Sequence, residues 1–197
     1  MKSCITLFMA LFAANMFWKG DSHSMKSSKL TKLRGFSWEN CGKPDDPAFL
    51  KTLHLYPDPI PSPGYLLASA SGSLLTDLTV PLSVNITVER EVDGVWVKIP
   101  CKDDLGSCHY PNICKLLDQL FPPRQCPDPL QKYCLPCHCP FKKDDYDLPS
   151  SAMYIPNFEL PDRMTNYRVQ GILRSSGKEL GCLKVSLSIA SMLYNQH

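Results

Sequence analysis

Ten cysteines constrain this 197-residue chain more than any other feature, because their oxidation state decides what holds the fold together. Three of them, Cys134, Cys137 and Cys139, crowd around His138 in the segment QKYCLPCHCPF. In the cytosol such a cluster would suggest a metal site, whereas in a secreted protein it would suggest disulfide bridges. The compartment that the chain enters must therefore be established first.

The N-terminal segment predicts entry into the secretory pathway. Lys2 is followed by an apolar run of 14 residues, Cys4 to Phe17, and then by Trp18 and Lys19. This run is shorter than the roughly 20 residues that cross a bilayer, and it suits the apolar region of a signal peptide. A buried helix or a membrane anchor is the alternative. Small residues favour cleavage after Ser24.

These features predict three segments. We expect a signal peptide over residues 1–24, a basic, serine-rich flexible leader or pro-segment over residues 25–36, and one folded domain over residues 37–197. Cleavage removes two lysines and one aspartate from a chain of net charge +2, so the mature protein is close to neutral. Such a charge argues against nucleic acid as a partner. Protonated histidines would make the protein cationic in an acidic compartment, which favours contact with anionic membrane surfaces.

Nine cysteines remain after cleavage, and in an oxidising compartment they indicate a disulfide framework with one thiol left over. Spacing leaves the connectivity open. Cys101 and Cys108 flank the turn-rich KDDLGS, and Cys41 and Cys182 lie near the two ends of the folded part. Zinc at the C-x2-C-H-C segment is the competing interpretation, which the signal peptide and the lack of a second C-x2-C pair disfavour.

Alternating residues predict antiparallel strands. The stretch LSVNITVE alternates apolar and polar residues from Leu82, and Asp93-Gly94 predicts a tight turn into a returning strand at Val95. A second hairpin runs from NYRVQGILR through SSGKEL into GCLKVSLSIA. KTLHLYP and GYLLASAS are further strands, and SAMYI and NFEL, which flank Pro156, are short or edge strands.

One segment departs from the strand pattern. PNICKLLDQLF places Ile113, Leu116, Leu117 and Leu120 at the spacing of a short amphipathic helix. The sequence therefore predicts an all-β fold, an antiparallel sandwich or cup with one short helix, stapled by disulfides.

Two residues of the first hairpin suggest specific roles. Asn85-Ile86-Thr87 is an acceptor motif for N-glycosylation, with Asn85 on the polar face of its strand. An unmodified surface asparagine is the alternative. Trp96 lies on the face opposite Val95, so it either packs on a second face or serves as an exposed aromatic at a membrane or ligand mouth.

Catalytic signals are weak. The chain has no G-x-S-x-G motif, and His109 is adjacent to a cysteine that we expect to be bridged. The acidic pairs Asp45-Asp46, Asp103-Asp104 and Asp144-Asp145 lie in turn-like contexts, where we interpret them as solvated loops. We therefore predict a protein without catalytic residues, bound metal or cofactor.

The chain resembles the ganglioside-activator family, lysosomal proteins that bind sphingolipids and assist β-hexosaminidase A. The resemblance covers about Phe36 to Ile189. It is carried by motifs in a shared order: FSWENC, YPDPI, GVWVKIPC, GSCHYPNIC, LPCHCPF, NYRVQGILRSSGK and LGCLK.

The resemblance implies a fold, a set of bridges and a function. The fold would be a β-cup of two antiparallel sheets around a large apolar lipid cavity. The bridges would be Cys41–Cys182, Cys101–Cys108, Cys114–Cys139 and Cys126–Cys137, which leaves Cys134 unpaired where the family carries a glycine. The implied membrane-contacting loop at the cavity mouth is Val92, Asp93, Gly94, Val95 and Trp96, which favours an exposed role for Trp96.

The implied function is that of a non-enzymatic cofactor. It would extract a glycosphingolipid, a ganglioside, from a membrane in the lysosome and present it to a soluble hexosaminidase. This chain departs from the family pattern after ELP, where DRMTNY shortens a tryptophan-bearing loop, and its tail SMLYNQH is extended. These departures motivate an alternative, a secreted lipid-binding or signalling module without a hydrolase partner.

Overall fold

A computed structural model describes residues 34–121, 126–157, 160 and 163–192. The predicted signal peptide and most of the predicted leader lie outside these residues. Of the leader, only Arg34, Gly35 and Phe36 are described, and they precede the first strand without regular structure. The strands are β1 (Ser37–Asn40), β2 (Ala48–Tyr56), β3 (Ile60–Ser62), β4 (Gly64–Leu74), β5 (Leu82–Val92), β6 (Val95–Lys98), β7 (His109–Tyr110), β8 (Asp144–Ile155), β9 (Met164–Ser175) and β10 (Lys178–Ser191); helix α1 spans Ile113–Leu120.

The strands form two sheets. The larger sheet, here sheet 1, has the order β1-β10-β9-β5-β6, with β3 paired to β10 and β7 paired to β5. The smaller sheet, sheet 2, has the order β2-β4-β8. All strand pairs are antiparallel except β3 with β10. The two described sheets are separate, so the fold is an open cup rather than a closed barrel, as the alternating sequence predicts.

Both predicted hairpins are confirmed. In the first, Val92 pairs with Val95 across Asp93 and Gly94, which have φ values of 51° and 82°. In the second, β9 and β10 are joined through Ser176 and Gly177, with φ values of 48° and 80°. Two successive residues in the left-handed region give the backbone twist that matches paired strands, which is why Asp-Gly is a strong turn signal.

Sheet 2 differs from the expectation at β8. This strand begins at Asp144, well before the predicted SAMYI segment, although it does lie at a sheet edge as predicted. The interpretation of Asp144-Asp145 as a loop is therefore wrong: both residues pair with the end of β4. Phe158 and Glu159 of the predicted NFEL strand lie outside the described residues, as do Pro161 and Asp162 of the altered loop.

Helix α1 is confirmed and closes one end of the fold. Asn112 caps it by accepting a hydrogen bond from the Lys115 backbone, and Phe121 ends it. Its apolar stripe is buried through Ile113 and Leu117. Both pack with Leu82 and Val84 of β5 and with other members of one apolar cluster. This end of the molecule therefore has a continuous core.

Candidate functional site

The other end of the fold contains a second apolar cluster, which lies between the two sheets. It is called the interior cluster here, and its buried members are Leu50, Leu53, Ile60, Leu66, Ala70, Tyr167, Leu183, Val185, Leu187 and Ile189. They come from β2 and β4 of sheet 2 and from β3, β9 and β10 of sheet 1. The inner faces of both sheets therefore meet in apolar side chains.

Many apolar side chains around the interior cluster are only partly buried. They are Phe36, Trp38, Leu55, Val88, Ile99, Met153, Ile155 and Leu160. An apolar surface that packs against a core and yet retains access to solvent is what a site for an apolar ligand requires. This partly buried set is the lining of the candidate site.

Strand register shows which strand ends lie together at the edge of the fold away from helix α1. The end of β10 pairs with β3, at Ile189 with Ile60, and with the start of β9, at Ala190 with Met164. β5 is the next strand of sheet 1 after β9, and Arg90 of β5 pairs with Tyr167 near the start of β9. The tip of the β5–β6 hairpin follows Arg90, so it lies at this same edge. β3 also connects β2 to β4, so the end of β2 and the start of β4 lie beside it. We call this edge of both sheets the open end.

The inner face of the first hairpin carries valines beyond the core. Val92 is opposite Val95, and Val97 is opposite Arg90, on the same face as Val88 of the lining. Val95 is 64% exposed, and Val92 and Val97 are also exposed. The hairpin therefore extends the apolar inner face of sheet 1 into solvent at the open end.

Trp96 lies on the outer face of the same hairpin. It is half-buried, and the guanidinium carbons of Arg168 and Arg34 lie 4.0 Å and 5.5 Å from its ring centroid. Of the five loop residues predicted to contact a membrane, the structure thus exposes Val92 to Val95 and partly covers Trp96. Tertiary contacts of this kind leave no signal in the sequence of the hairpin.

Glu91, opposite Trp96, is the centre of a partly buried polar network that the sequence did not reveal. Its side chain is only 8% exposed, accepts a hydrogen bond from Arg34 Nε at 2.9 Å, and also binds Arg34 Nη2. Asn166 Nδ2 donates to Glu91 at 2.7 Å, and Asn166 Oδ1 accepts from Ser188 at 2.6 Å. The Arg34 hydrogen bonds lower the pKa of Glu91 to about 2, against the opposing effect of burial.

Four disulfides join the described cysteines, in the pairs that the resemblance implies: Cys41–Cys182, Cys101–Cys108, Cys114–Cys139 and Cys126–Cys137. Among the cysteines that the structure describes, Cys134 alone is free, and it is exposed. Its φ of 56° lies in the left-handed region, which a glycine adopts without strain. This geometry explains why a glycine suits the position.

The cysteine-rich segment offers poor ligands for a metal. Cys126, Cys137 and His138 bring their side chains within 4.8 Å of one another. The two sulfurs are bonded to each other, however, and a disulfide has no thiolate to donate. His138 Nδ1 lies 2.9 Å from Asp118 Oδ1 on helix α1. These contacts tie the segment to the helix.

Asn85 lies on the outer face of β5 as predicted, but its side chain has a partner. The Asn85 carboxamide oxygen contacts His109 Nδ1 on the neighbouring strand β7. A glycan would be attached through the nitrogen, the other end of the same carboxamide. Glycosylation of Asn85 stays a prediction.

The acidic pairs have structural partners rather than a shared site. Asp46 is buried rather than solvated, which corrects the interpretation of this residue, and it accepts a hydrogen bond from the Lys43 backbone at 2.8 Å. Asp103 and Asp104 lie in a turn at positive φ. Hydrogen bonds from Lys51 and Ser73 lower the pKa of Asp145.

The part of the chain that the structure describes has no helix with the length and apolar character of a membrane span.

Comparison with protein families matches residues 35–189 to the ML domain. Two curated relatives are both described as ganglioside GM2 activators. The mouse protein is 51% identical over 82% of this chain and 85% of its own length, and the Macaca fascicularis protein is 48% identical over 81% and 86%.

Two solved structures are also similar. A Niemann-Pick type C2 protein from Japanese carpenter ant matches with a TM-score of 0.41 and 17% identity, over 78% of this chain and 98% of that one. Chicken MD-1 complexed with lipid IVa matches with a TM-score of 0.40 and 12% identity, over 77% of this chain and 87% of that one.

Proposed function

Because this chain belongs to the ML-domain family, with ganglioside GM2 activators as its curated relatives, we propose that it is a lipid-binding cofactor that presents glycosphingolipids to a hydrolase. The observation that carries the proposal is the partly buried apolar lining between the two sheets. Burial of an acyl chain against such a lining stabilises a complex by about 0.8 kcal/mol for each CH2 group.

The cup accounts for how a lipid would be divided between protein and water. Its closed end is sealed by helix α1 and by the bridges from Cys114 to Cys139 and from Cys126 to Cys137. Its open end carries the exposed valines of the β5–β6 hairpin. Lipid tails would therefore enter between the sheets, while the sugar head group stays outside at the open end.

The protein acts as a cofactor and not as an enzyme. A soluble glycosidase cannot readily reach a sugar that lies close to a bilayer surface, and the lipid-loaded cup removes that barrier without breaking a bond. The proposed hydrolase partner is a lysosomal β-hexosaminidase, which is the partner that the family resemblance implies. We propose the lysosome, reached through the secretory pathway, as the compartment, with anionic membrane surfaces as the source of lipid.

The direct test is extraction of ganglioside from liposomes at acidic pH, followed by hydrolysis with and without β-hexosaminidase. We expect the protein to bind ganglioside in a one-to-one complex by native mass spectrometry and to raise the hydrolysis rate. If it binds no glycolipid, the proposed function is wrong. If it binds glycolipid but leaves hydrolysis unchanged, the chain is a lipid-binding module without this hydrolase partner.

A matched pair of variants on β2 tests where the lipid binds. Leu55 is a lining residue on the inner face, whereas Thr52 is exposed and contacts Ser71 on the outer face. We expect Leu55→Trp to fill part of the cup and to lower ganglioside uptake. Thr52→Trp, which adds the same ring outside the cup, should take up lipid like the parent protein. Equal uptake by both variants would argue against binding between the sheets.

A further inference from the structure

Three tyrosines are unusually exposed on sheet 2. Tyr56, Tyr65 and Tyr154 have 69%, 67% and 60% of their surface accessible, and the neighbouring Leu67 is also exposed. We call these four residues the tyrosine patch. The rings of Tyr65 and Tyr154 meet edge to face, with centroids 5.4 Å apart. A paired arrangement of this kind favours a fixed surface over independent side chains.

The strand register makes the patch continuous. Tyr65 of β4 is opposite Tyr154 of β8, and Leu67 of β4 is opposite Tyr56 of β2. Side chains two residues apart on a strand point to the same face, so Tyr65 and Leu67 are neighbours. The patch therefore spans all three strands on the outer face of sheet 2, and Ala152, opposite Leu67, adds no charge to it.

The patch also lies at the open end. Tyr56 ends β2, Tyr65 follows the first residue of β4, and Tyr154 precedes the last residue of β8. The exposed valines of the β5–β6 hairpin lie at the same end of sheet 1, and exposed Met192 follows β10 there, with its backbone bonded to Ser62. Both sheets thus present exposed apolar or aromatic side chains around one opening.

We propose that the tyrosine patch is a membrane-docking surface that seats the open end of the cup in the interfacial region of a lipid bilayer. Tyrosine suits this region because its ring is apolar and its hydroxyl remains hydrated, and it is enriched at membrane interfaces. Four side chains are far fewer than the roughly 20–30 residues on each side of a stable protein interface. The inference rests on the proposed function only in taking a bilayer as the source of the lipid.

Vesicle binding tests the patch. The variant Tyr56→Ser/Tyr65→Ser/Tyr154→Ser is compared with the parent on phosphatidylcholine vesicles, with and without phosphatidylserine. A matched control, Leu75→Ser/Val80→Ser, removes exposed apolar side chains from the segment between β4 and β5, at the other end of the sheets. We expect the patch variant to bind vesicles at least about tenfold more weakly and the control to bind like the parent.

Two further measurements separate the possible failures. Binding of a short-chain, water-soluble glycolipid without vesicles should be the same for the patch variant and the parent, because the cup is intact. If the parent binds no such lipid, the proposed function fails whatever the vesicles show. If the variant does not fold, Tyr65→Trp replaces it, and brominated phosphatidylcholine should quench its fluorescence more than that of the parent.

The patch proposal fails if the parent does not bind vesicles or if the folded patch variant binds them as well as the parent does. It also fails if Tyr65→Trp shows no added quenching. Sedimentation measures the oligomeric state of the parent and of the patch variant, which tests whether the patch instead joins two copies of the chain. A parent that is dimeric and a patch variant that is monomeric would assign the patch to contact between copies of the chain and overturn membrane docking.

Discussion

The guanidinium carbon of Arg168 lies 4.0 Å from the centre of the Trp96 ring. Arg168 belongs to β9 and is also ion-paired with Glu89 of β5, with Nη2 and Oε2 3.0 Å apart. The tryptophan is therefore held against the outer face of sheet 1, while the valines of the same hairpin occupy the inner face. The outer face of the hairpin therefore fixes it to sheet 1 through Trp96, and the inner face extends the apolar lining through its valines.

The first prediction separates these tasks. Trp96→Ala should lower the free energy of unfolding by about 1–2 kcal/mol, since it removes contacts with two guanidinium groups. Val95→Asp should change stability by less than about 0.5 kcal/mol because Val95 is largely exposed. It should nevertheless reduce lipid transfer, since it puts a charge on the inner face at the open end.

Urea unfolding and fluorescent-lipid transfer from vesicles measure the two effects. Val80→Asp, which changes another exposed valine outside the open end, is the control for the added charge. A Trp96→Ala variant of full stability that no longer transfers lipid would show that Trp96 itself acts at the membrane, as the resemblance implies.

The second prediction concerns the acid stability of the Glu91 network. The pKa of Glu91 is lowered from 4.5 to about 2, so its ionised form is favoured in the folded state. The stabilisation that the ionised carboxylate provides is fully present above the pKa of Glu91 in the unfolded chain, and it is lost as the pH falls through about 2. Glu91→Gln should therefore lower the free energy of unfolding by about 1.5–3 kcal/mol near neutral pH. This deficit should be nearly as large in mildly acidic solution, and it should disappear near pH 2, where the parent loses its ionised carboxylate.

Thermal unfolding across this pH range checks the prediction. Glu39→Gln is a matched control, since Glu39 pairs with Lys184 at 3.1 Å but is 61% exposed. An exposed pair contributes at most about 1 kcal/mol, so the control should track the parent. A Glu91→Gln deficit that persists unchanged to about pH 2 would contradict an ionic origin.

Local patterns predicted the elements better than they predicted the contacts between them. The alternation after Leu82, the Asp93-Gly94 turn and the helical spacing from Ile113 each depend on neighbours in sequence, and each element is present. The pair Asp144-Asp145 was misassigned because acidic residues are common in turns, and only pairing with β4 makes it part of a strand.

The site itself depends on contacts that sequence does not encode locally. Arg34 reaches Glu91 from 57 residues away, and Trp96 is covered by Arg168 from a different strand. The tyrosine patch similarly arises only when β2, β4 and β8 are placed in register. The cysteine pairs could be specified only through the family resemblance, since spacing leaves many connectivities open.

The third prediction tests glycosylation of Asn85. Thr87→Ala removes the acceptor motif but keeps the contact between Asn85 and His109. We expect this variant, secreted from a eukaryotic host, to lack a glycan that the parent carries. Its stability should match that of the enzymatically deglycosylated parent. Intact mass before and after glycosidase treatment is the measurement, and an unmodified parent chain would disprove the assignment.

The fourth prediction concerns Cys134. Native protein from which the predicted signal peptide, with Cys4, has been cleaved should react with one equivalent of a thiol reagent, at the exposed Cys134. A residue with a Cβ atom costs about 1–2 kcal/mol at this positive φ, whereas glycine avoids this cost but loses more chain entropy on folding. Cys134→Gly should therefore raise the free energy of unfolding by up to about 1 kcal/mol. Cys134→Ala keeps the Cβ atom and should give no gain. Equal stability of both variants would show that the backbone at this position is unstrained.

The fifth prediction compares two bridges that close loops of different length. Cys41–Cys182 spans 141 residues and ties the start of the folded chain to β10, whereas Cys101–Cys108 spans seven. If both act mainly by restricting the unfolded chain, replacing each pair by serines should cost about 5 kcal/mol for the long loop and about 2.5 kcal/mol for the short one. Urea unfolding of both double variants under non-reducing conditions measures the difference. A larger loss for the short loop would instead mean that the Cys101–Cys108 bridge acts through the folded state, by fixing the segment between β6 and β7 beside the hairpin.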